Sequence, residues 1–167
     1  MHSYSSIRDA LTLAAAPAGA EAELRHDAIL ELVMAGENIR QAMRTQLARV
    51  GLTMEGFQTL AVLRQLDPAA ASPTHLAQKT ATTKALLSHT LTRLELSQLI
   101  TRERDSTDRR IVWVRLTPLG RTTVQRALIA CRKCLEQVAE RIKPADLKTL
   151  LGLCQNLNDS SCRLSRA

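Results

Sequence analysis

Apolar side chains recur at helical spacing along most of this chain and predict six helices, with one short β-hairpin between the fourth and the fifth. The first apolar series spans residues 21–50 without a proline, which predicts one long amphipathic helix. Gly51 ends this helix. Thr53 is the predicted N-cap of a second helix that continues to about Leu66, and Asp67-Pro68 stops it.

Two short helices then follow with a tight turn between them. Ser72-Pro73 provides an N-cap and a proline at the first helical position, where the missing N–H would be unpaired anyway. This pair predicts a third helix over residues 73–79. Thr83 is the predicted N-cap of a fourth helix that reaches about Ser97, and two short helices joined in this way are typical of a helix-turn-helix.

The next segment changes from helical spacing to alternation. Residues 99–103 and 110–116 predict two strands, and the second is rich in β-branched and aromatic side chains. A basic loop joins them, and such a loop on a small hairpin is suited to entering a DNA groove. Thr117-Pro118 repeats the cap and proline and starts a fifth helix that reaches about Ile142, and Pro144 starts a sixth.

The fifth helix carries an apolar series spaced by four, three, four, three and four residues: Val124, Leu128, Cys131, Leu135, Val138 and Ile142. Such a series predicts a seam for another helix. We therefore predict that residues 21–51 and 118–167 form a helical dimerisation region. The alternative is that these helices pack on each other within one subunit. In residues 1–20, Asp9 interrupts an apolar run, which predicts a flexible extension rather than a signal peptide.

Composition and charge narrow the class of protein. The 167 residues, 45% of them hydrophobic, suit one domain with a sizeable core. Residues 76–121 hold nine Lys and Arg against four acids, a net of +5, whereas residues 1–51 hold five arginines against six acids, a net of −1. A basic middle fits a polyanion such as DNA, although equally basic surfaces occur in proteins that bind none. No apolar run reaches the length of a membrane span, so we expect a cytoplasmic protein with no membrane partner.

The fourth helix is the predicted DNA reader. If Leu87 is its buried centre, a turn of 100° per residue directs one set of side chains away from the core. In a helix-turn-helix, the N-terminal half of the second helix enters the major groove. The candidate readers on this side are Thr83, Lys84, Ser88, His89 and Thr92. On a lone helix they would form an ordinary solvated face, but the adjacent third helix and the basic hairpin favour DNA.

The hairpin loop supplies a second set of candidate contacts. We predict that Arg110 reaches into the minor groove, where a narrowed A·T-rich stretch has an enhanced negative potential. Arg104 and Arg109 are candidates for phosphate contacts. Asp108 cannot bind a phosphate, so we assign it the role of orienting Arg110 or Arg109 through a charge-assisted hydrogen bond.

Two motifs carry a resemblance to a known family. One follows the pattern D-x-R-x-x-x-V-x-L-T-x-x-G, at Asp108, Arg110, Val114, Leu116, Thr117 and Gly120. The other spans residues 76–95 and follows L-A-x-x-x-x-x-(S/T)-x-x-x-(V/L)-(T/S)-x-x-(V/L)-x-x-L-E. On these motifs the chain resembles the MarR (multiple antibiotic resistance regulator) family over about residues 52–120.

The resemblance implies a mainly α fold, in which residues 52–117 form a winged helix-turn-helix lobe with a small β-hairpin wing, flanked by N- and C-terminal dimerisation helices. It also implies a homodimeric transcription regulator that binds a pseudo-palindromic operator in double-stranded DNA. Many members are repressors released by a small, often aromatic or phenolic, acid. Arg40, Arg44 and His75 are possible partners for the carboxylate of such an effector.

Two features depart from the family pattern. Gln98 occupies a position that is usually glycine at the end of the recognition helix, and it is therefore expected to strain a left-handed cap. Ala85 and His89 replace residues that are often polar or basic. The operator sequence is therefore expected to be particular to this protein.

The four cysteines are open to two interpretations. Cys131 and Cys134 have a metal or redox spacing, but they lie mid-helix, where no helix N-terminus lowers a thiol pKa, and free buried thiols are the favoured interpretation. A redox-sensing repressor that uses Cys131, Cys134, Cys154 and Cys162 is the alternative.

A second alternative for the function is a winged-helix module whose basic face binds an acidic protein. No catalytic arrangement is evident, and we expect no enzyme activity, metal or cofactor.

Overall fold

The computed structural model describes residues 19–164, with side chains described through Asp159. The prediction of a flexible extension at residues 1–20 falls almost entirely outside them. The elements are α1 (Ala20–Ala48), α2 (Met54–Leu66), α3 (Pro73–Lys79), α4 (Lys84–Leu96), β1 (Ile100–Arg104), β2 (Val112–Leu116), α5 (Pro118–Ala139) and α6 (Pro144–Leu164). The predicted order of six helices with a hairpin before the fifth is confirmed.

Hydroxyl side chains start the central helices at the predicted positions. Thr53 accepts a hydrogen bond from the backbone N–H of Gly56 at 3.1 Å and starts α2. Ser72 starts α3 by accepting from the N–H of His75 at 3.2 Å. Thr83 starts α4 in the same way, at 3.3 Å. Each cap satisfies a backbone donor that the first helical turn leaves unpaired.

Three helices end in the same hydrogen-bonded turn, in which one residue adopts a left-handed conformation. Gly51 has this conformation after α1 (φ 74°), Ala81 after α3 (φ 49°) and Gln98 after α4 (φ 57°). After α4, the N–H of Gln98 donates to the carbonyl of Glu95 at 2.8 Å and that of Leu99 to Leu94 at 2.9 Å. These two bonds define a Schellman motif, which favours glycine at the left-handed residue. The strain expected at Gln98 is therefore confirmed in its backbone conformation.

The hairpin is antiparallel, with Ile100 opposite Leu116 and Arg104 opposite Val112. Its strands begin later than predicted, at Ile100 and Val112, because Leu99 belongs to the turn after α4 and Ile111 to the wing loop. A further bridge joins Ala71 to Val114, with backbone hydrogen bonds of 3.0 and 2.9 Å. This bridge anchors the start of α3 to the base of the wing.

One hydrophobic core holds α2, α3, α4 and the hairpin together. In α4, Leu87, Leu91 and Leu94 are buried on one side of the helix, as the helical spacing predicts. Gly120 at the start of α5 approaches the turn after α4 so closely that an added Cβ would lie 2.0 Å from the carbonyl oxygen of Leu99. The glycine of the wing motif is therefore required by packing.

The described chain divides into two compact units, one through Cys134 and one from Leu135 onward. In the first unit, α5 buries Val124, Ala127, Cys131 and Cys134. Of the six residues of the predicted seam, Val124 and Cys131 are buried in this core, and Leu128, Leu135, Val138 and Ile142 are exposed on the described chain. The seam stays a prediction for contact with another helix. In the second unit, α5 ends at Ala139, three residues earlier than predicted. The chain turns over residues 140–143 and starts α6 at Pro144.

Candidate nucleic-acid interface

The helix α4 presents all five candidate readers to solvent. Because one side of the helix is buried in the core, the remaining side exposes Thr83, Lys84, Ser88, His89 and Thr92. Two of the hydroxyls already make internal bonds. Thr83 accepts from the N–H of Leu86, and Thr92 donates to the carbonyl of Ser88 at 3.1 Å. Lys84, Ser88 and His89 therefore have the least committed polar groups on this surface.

A groove of about 260 Å³ connects α4 to the wing. Thr74 of α3 and Lys84 and Ser88 of α4 line one part of it, and Arg102 and Val112 of the hairpin line another. The structure therefore places two of the candidate readers, Lys84 and Ser88, next to the hairpin. The sequence could not show this, because the helix and the hairpin were identified from two separate motifs.

The three arginines predicted for the wing are exposed and carry unpaired charges. Arg104 is the last residue of β1, and Arg109 and Arg110 lie in the loop of residues 105–111 that follows. Within residues 19–159, none of the three guanidinium groups forms an ion pair with a carboxylate. The loop also contains Asp105 and Asp108, and both carboxylates bind groups other than these guanidiniums.

Asp108 accepts a hydrogen bond from the backbone N–H of Arg110 at 2.9 Å. From the sequence we predicted instead a charge-assisted bond to the side chain of Arg110 or Arg109. The structure differs because Arg110 is two residues further on, so its N–H is the nearest donor to the carboxylate, as in an Asx-turn. The carboxylate therefore shapes the loop and leaves the guanidinium groups free.

Asp105 is a residue of the wing that the sequence analysis did not select. Its carboxylate accepts hydrogen bonds from the N–H of Thr107 at 2.8 Å, from that of Asp108 at 3.1 Å, and from the indole Nε1–H of Trp113 at 2.7 Å. The hydroxyl of Thr107 donates to it as well. These bonds, first those of the Thr107 hydroxyl and Trp113, hold the pKa of Asp105 far below its ordinary value. The sequence D-S-T-D at residues 105–108 could have indicated this turn. It could not have indicated that the indole of Trp113 binds Asp105.

Three other cations of the basic middle have structural partners. Arg102 forms an ion pair with Glu95, and its hydrogen bonds lower the pKa of that carboxyl group. Arg121 binds both oxygens of Asp67 at 2.7 Å each, and this hydrogen bonding is the largest cause of the lowered pKa of Asp67. Arg115 donates to the carbonyl of Pro68 at 3.0 Å. The Arg102–Glu95 pair joins β1 to α4. The bonds of Arg115 and Arg121 join β2 and α5 to the segment between α2 and α3.

Six cations of the helix-turn-helix and the wing remain available to a polyanion. Of the nine cations in residues 76–121, three have the carboxylate or carbonyl partners described above, which leaves six with neither kind of partner among the described residues. They are Lys79, Lys84, Arg93, Arg104, Arg109 and Arg110. All six are exposed. A surface of this kind attracts a polyanion, and the helix next to it has the dimensions of a major-groove reader.

One segment of the chain matches a known family. Residues 52–112 match the MarR family, and the matched segment contains α2, α3, α4, β1 and the wing loop. The chain carries a MarR-family domain. No curated protein has a sequence that matches this chain.

Solved structures agree with the MarR-family fold. A probable transcriptional regulator from Pseudomonas aeruginosa is 26% identical, with a TM-score of 0.66 over 77% of this chain and 94% of its own. Wild-type MarR from E. coli is 19% identical, with a TM-score of 0.64 over 75% and 93%. A MarR-family transcriptional regulator from Silicibacter pomeroyi is 22% identical, with a TM-score of 0.62 over 84% and 93%. The predicted fold, a mainly helical winged helix-turn-helix, is confirmed.

Two of the residues predicted to bind an effector precede the segment that matches the MarR family, and the third lies within it. Arg40 and Arg44, both on α1, each form an ion pair with Glu37, at 3.1 and 3.0 Å. His75 is half-buried in the first turn of α3. Because one carboxylate already partners both arginines, an acidic ligand would have to compete with Glu37 for them.

The structure describes the environment of three of the four cysteines, and two of these three are buried. Cys131 and Cys134 are free and buried on α5, and burial, together with the neighbouring Cys134, raises the pKa of the Cys131 thiol. Cys154 is a half-exposed free thiol in the second unit. Cys162 lies on α6 beyond the last described side chain. The described residues contain no His, Cys, Asp and Glu group that could hold a metal ion, and none of their helices is long and apolar enough to cross a membrane.

Proposed function

We propose that this protein is a homodimeric transcription regulator that binds a pseudo-palindromic DNA operator through α4 and the wing. The observation that carries the proposal is the set of six exposed cations on the helix-turn-helix and the wing that have no carboxylate or carbonyl partner among the described residues. Cations of this kind neutralise phosphates and release counterions, which supplies much of the affinity of DNA-binding proteins. DNA as the partner places the action of the protein in the cytoplasm.

In this proposal, α4 reads sequence and the wing supplies affinity. Lys84, Ser88 and His89 are the main base-reading residues, because their polar groups are exposed and largely uncommitted. The hydroxyl groups of Thr83 and Thr92 each make one internal hydrogen bond and can make further hydrogen bonds to DNA. Arg110 inserts into the minor groove, where an arginine responds to groove width more than to base identity.

The homodimer is proposed from apolar side chains that the described chain leaves uncovered. The helix α1 has 29 residues, and Leu47 alone among them is buried. Exposed apolar residues on α1 are Leu24, Ile29 and Val33, and those on the last turn of α5 and on α6 include Leu135, Val138, Leu150, Leu151 and Leu153. Apolar surface of this extent is typical of a protein interface. A second copy of the chain would cover it with two-fold symmetry, which matches the symmetry of a pseudo-palindromic operator.

Release by a small acid is the part of the proposal that rests mainly on the family. It requires a ligand that prefers the conformation that does not fit DNA. Besides Arg40, Arg44 and His75, the structure offers the groove between α4 and the wing, where the ammonium group of Lys84 has no ion-pair partner among the described residues. An acid bound there would occupy a candidate DNA-reading residue and so compete with the operator directly.

The experiment is a titration of fluorescent operator DNA, isolated by selection from genomic fragments, with the purified chain at several salt concentrations. We expect affinity to fall steeply with salt, and Arg110→Ala to weaken binding by roughly 1 to 3 kcal/mol at matched salt. Arg25→Ala is the matched control because it removes the same charge from α1, where Arg25 pairs with Glu21 at 2.6 Å. An affinity unchanged by Arg110→Ala would remove the wing from the mechanism, and equal affinity for all DNA sequences would favour the protein-interaction alternative.

A further inference from the structure

The loop of residues 105–111 that forms the tip of the wing is held by a compact set of hydrogen bonds. The carboxylate of Asp105 accepts from Thr107, Asp108 and Trp113, as described above. The backbone N–H of Asp105 donates to the carbonyl of Ile111 at 3.0 Å, and the N–H of Ile111 donates to the carbonyl of Asp108 at 2.9 Å. The loop is therefore closed at its base and fixed from inside by one side chain.

These bonds determine what the loop presents to solvent. Two carboxylates lie in the same short loop as Arg109 and Arg110, where they could have formed ion pairs with them. Instead Asp105 and Asp108 each accept from backbone N–H groups, and the guanidinium groups have no carboxylate partner within the described residues. The low pKa of Asp105 is consistent with this, since every donor it binds stabilises the charged form.

We propose that Asp105 is a positioning residue for DNA binding, which acts with Trp113 to hold the wing loop so that Arg110 is presented unpaired and in a fixed place. This inference rests on the proposed function above. The expected gain in DNA affinity has an entropic cause as well as a geometric one. An arginine on a preorganised loop loses less freedom on binding than one on a loop that must be ordered by the DNA.

The direction in which DNA affinity changes when the charge of Asp105 is removed separates this proposal from an effect of charge alone. Asp105 carries a negative charge next to a surface that would bind a polyanion, so its removal should strengthen DNA binding if charge alone mattered. The positioning role predicts the opposite. In Asp105→Asn, the side-chain oxygen can still accept from the backbone N–H groups, but its NH₂ group is a donor and cannot accept from Trp113.

The test compares three variants in operator titrations at matched salt. Asp105→Asn removes the charge and the indole bond, and Trp113→Phe removes only the indole donor and keeps the ring. Glu103→Gln is the matched control, since Glu103 is an exposed acid on β1 directly opposite Trp113. We expect Asp105→Asn and Trp113→Phe to weaken binding by roughly three- to tenfold, a fraction of the ~5- to 150-fold loss expected for Arg110→Ala. Glu103→Gln should leave affinity unchanged or raise it.

A second measurement asks whether Asp105 acts through Arg110. In the Arg110→Ala background, Asp105→Asn should have little further effect on operator affinity, because the group that it positions is already gone. A residue that merely stabilises the fold would weaken binding by the same factor in both backgrounds. Additive losses would therefore overturn the positioning role.

The single tryptophan of the chain provides a readout that needs no DNA. In a ¹⁵N–¹H spectrum the one indole N–H of Trp113 should exchange slowly with solvent in the unsubstituted protein and rapidly in Asp105→Asn. If the indole exchanges slowly in both, or if Asp105→Asn binds the operator as well as the unsubstituted protein does, the proposal is wrong. If the unsubstituted protein prefers no DNA sequence, the proposed function fails instead, and the indole result is unaffected.

Discussion

Replacing Gln98 by glycine should stabilise this protein, which is the reverse of the usual effect of glycine in the interior of a helix. Gln98 follows α4 in a left-handed conformation with φ 57°, and both bonds of the Schellman motif depend on that conformation. Glycine adopts it without the contact between Cβ and the backbone that other residues suffer.

The magnitude follows from two opposing terms. A non-glycine residue in this conformation costs about 1 to 2 kcal/mol, whereas glycine in the unfolded chain has extra conformational freedom that costs about 0.5 to 1 kcal/mol on folding. The side chain of Gln98 is exposed and forms no hydrogen bond among those described, so its loss adds little. We therefore expect Gln98→Gly to raise the free energy of unfolding by about 0.5 to 1 kcal/mol.

The assay is urea unfolding followed by circular dichroism, with all variants at one protein concentration, because any dimer makes stability depend on concentration. Two matched variants test the same reasoning. Ala81→Gly changes the second non-glycine left-handed residue, at φ 49°, and should also stabilise the fold. Gly51→Ala makes the reverse change at φ 74° and should destabilise it. A loss of stability in Gln98→Gly comparable to that of glycine in a helix interior would refute the reasoning.

Two further predictions concern packing and acid sensitivity. Gly120→Ala should lower the free energy of unfolding by about 3 kcal/mol or more, since the new Cβ would lie 2.0 Å from a backbone oxygen. In urea unfolding, the control Gly36→Ala should cause no such loss, because its Cβ meets nothing within 4 Å. The hydrogen bonds from Arg121 lower the pKa of Asp67 below its ordinary 3.8, so the pair stabilises the fold above that pH, and this contribution is lost as pH falls through the lowered value. Asp67→Asn should therefore be less stable than the unsubstituted protein at pH 7, with a difference that shrinks below pH 3.8 in urea unfolding at each pH; a constant difference would contradict the linkage.

Features that depend on neighbouring residues could be predicted from the sequence. The caps at Thr53, Ser72 and Thr83 each bind a backbone N–H three residues on, so their signal lies within one turn of helix. The strain at Gln98 was predictable for the same reason, from the position of the turn at the end of α4. Exposure of the five candidate readers followed from the helical period once one buried residue was chosen.

Features that depend on tertiary contacts could not be predicted. The ion pair of Arg121 with Asp67 joins residues 54 positions apart, and nothing in either segment indicates the other. As a result, the count of nine cations in residues 76–121 overstated the charge available to DNA, because Arg102, Arg115 and Arg121 have structural partners. On α5, the burial of Ala127 could not be predicted for a similar reason, because alanine is too small to mark a buried position in a hydrophobic pattern.

The most direct test of the account is selection of bound fragments from a random DNA library by the purified full chain, followed by sequencing. The proposed regulator predicts enrichment of a pseudo-palindromic site whose half-sites are centred about one helical turn, roughly 10 base pairs, apart. A variant of α4 with Ser88→Ala and His89→Ala should select a changed or relaxed half-site without losing the spacing. A library that emerges without an enriched sequence, or a half-site unchanged by the α4 substitutions, would contradict the claim that this helix reads DNA.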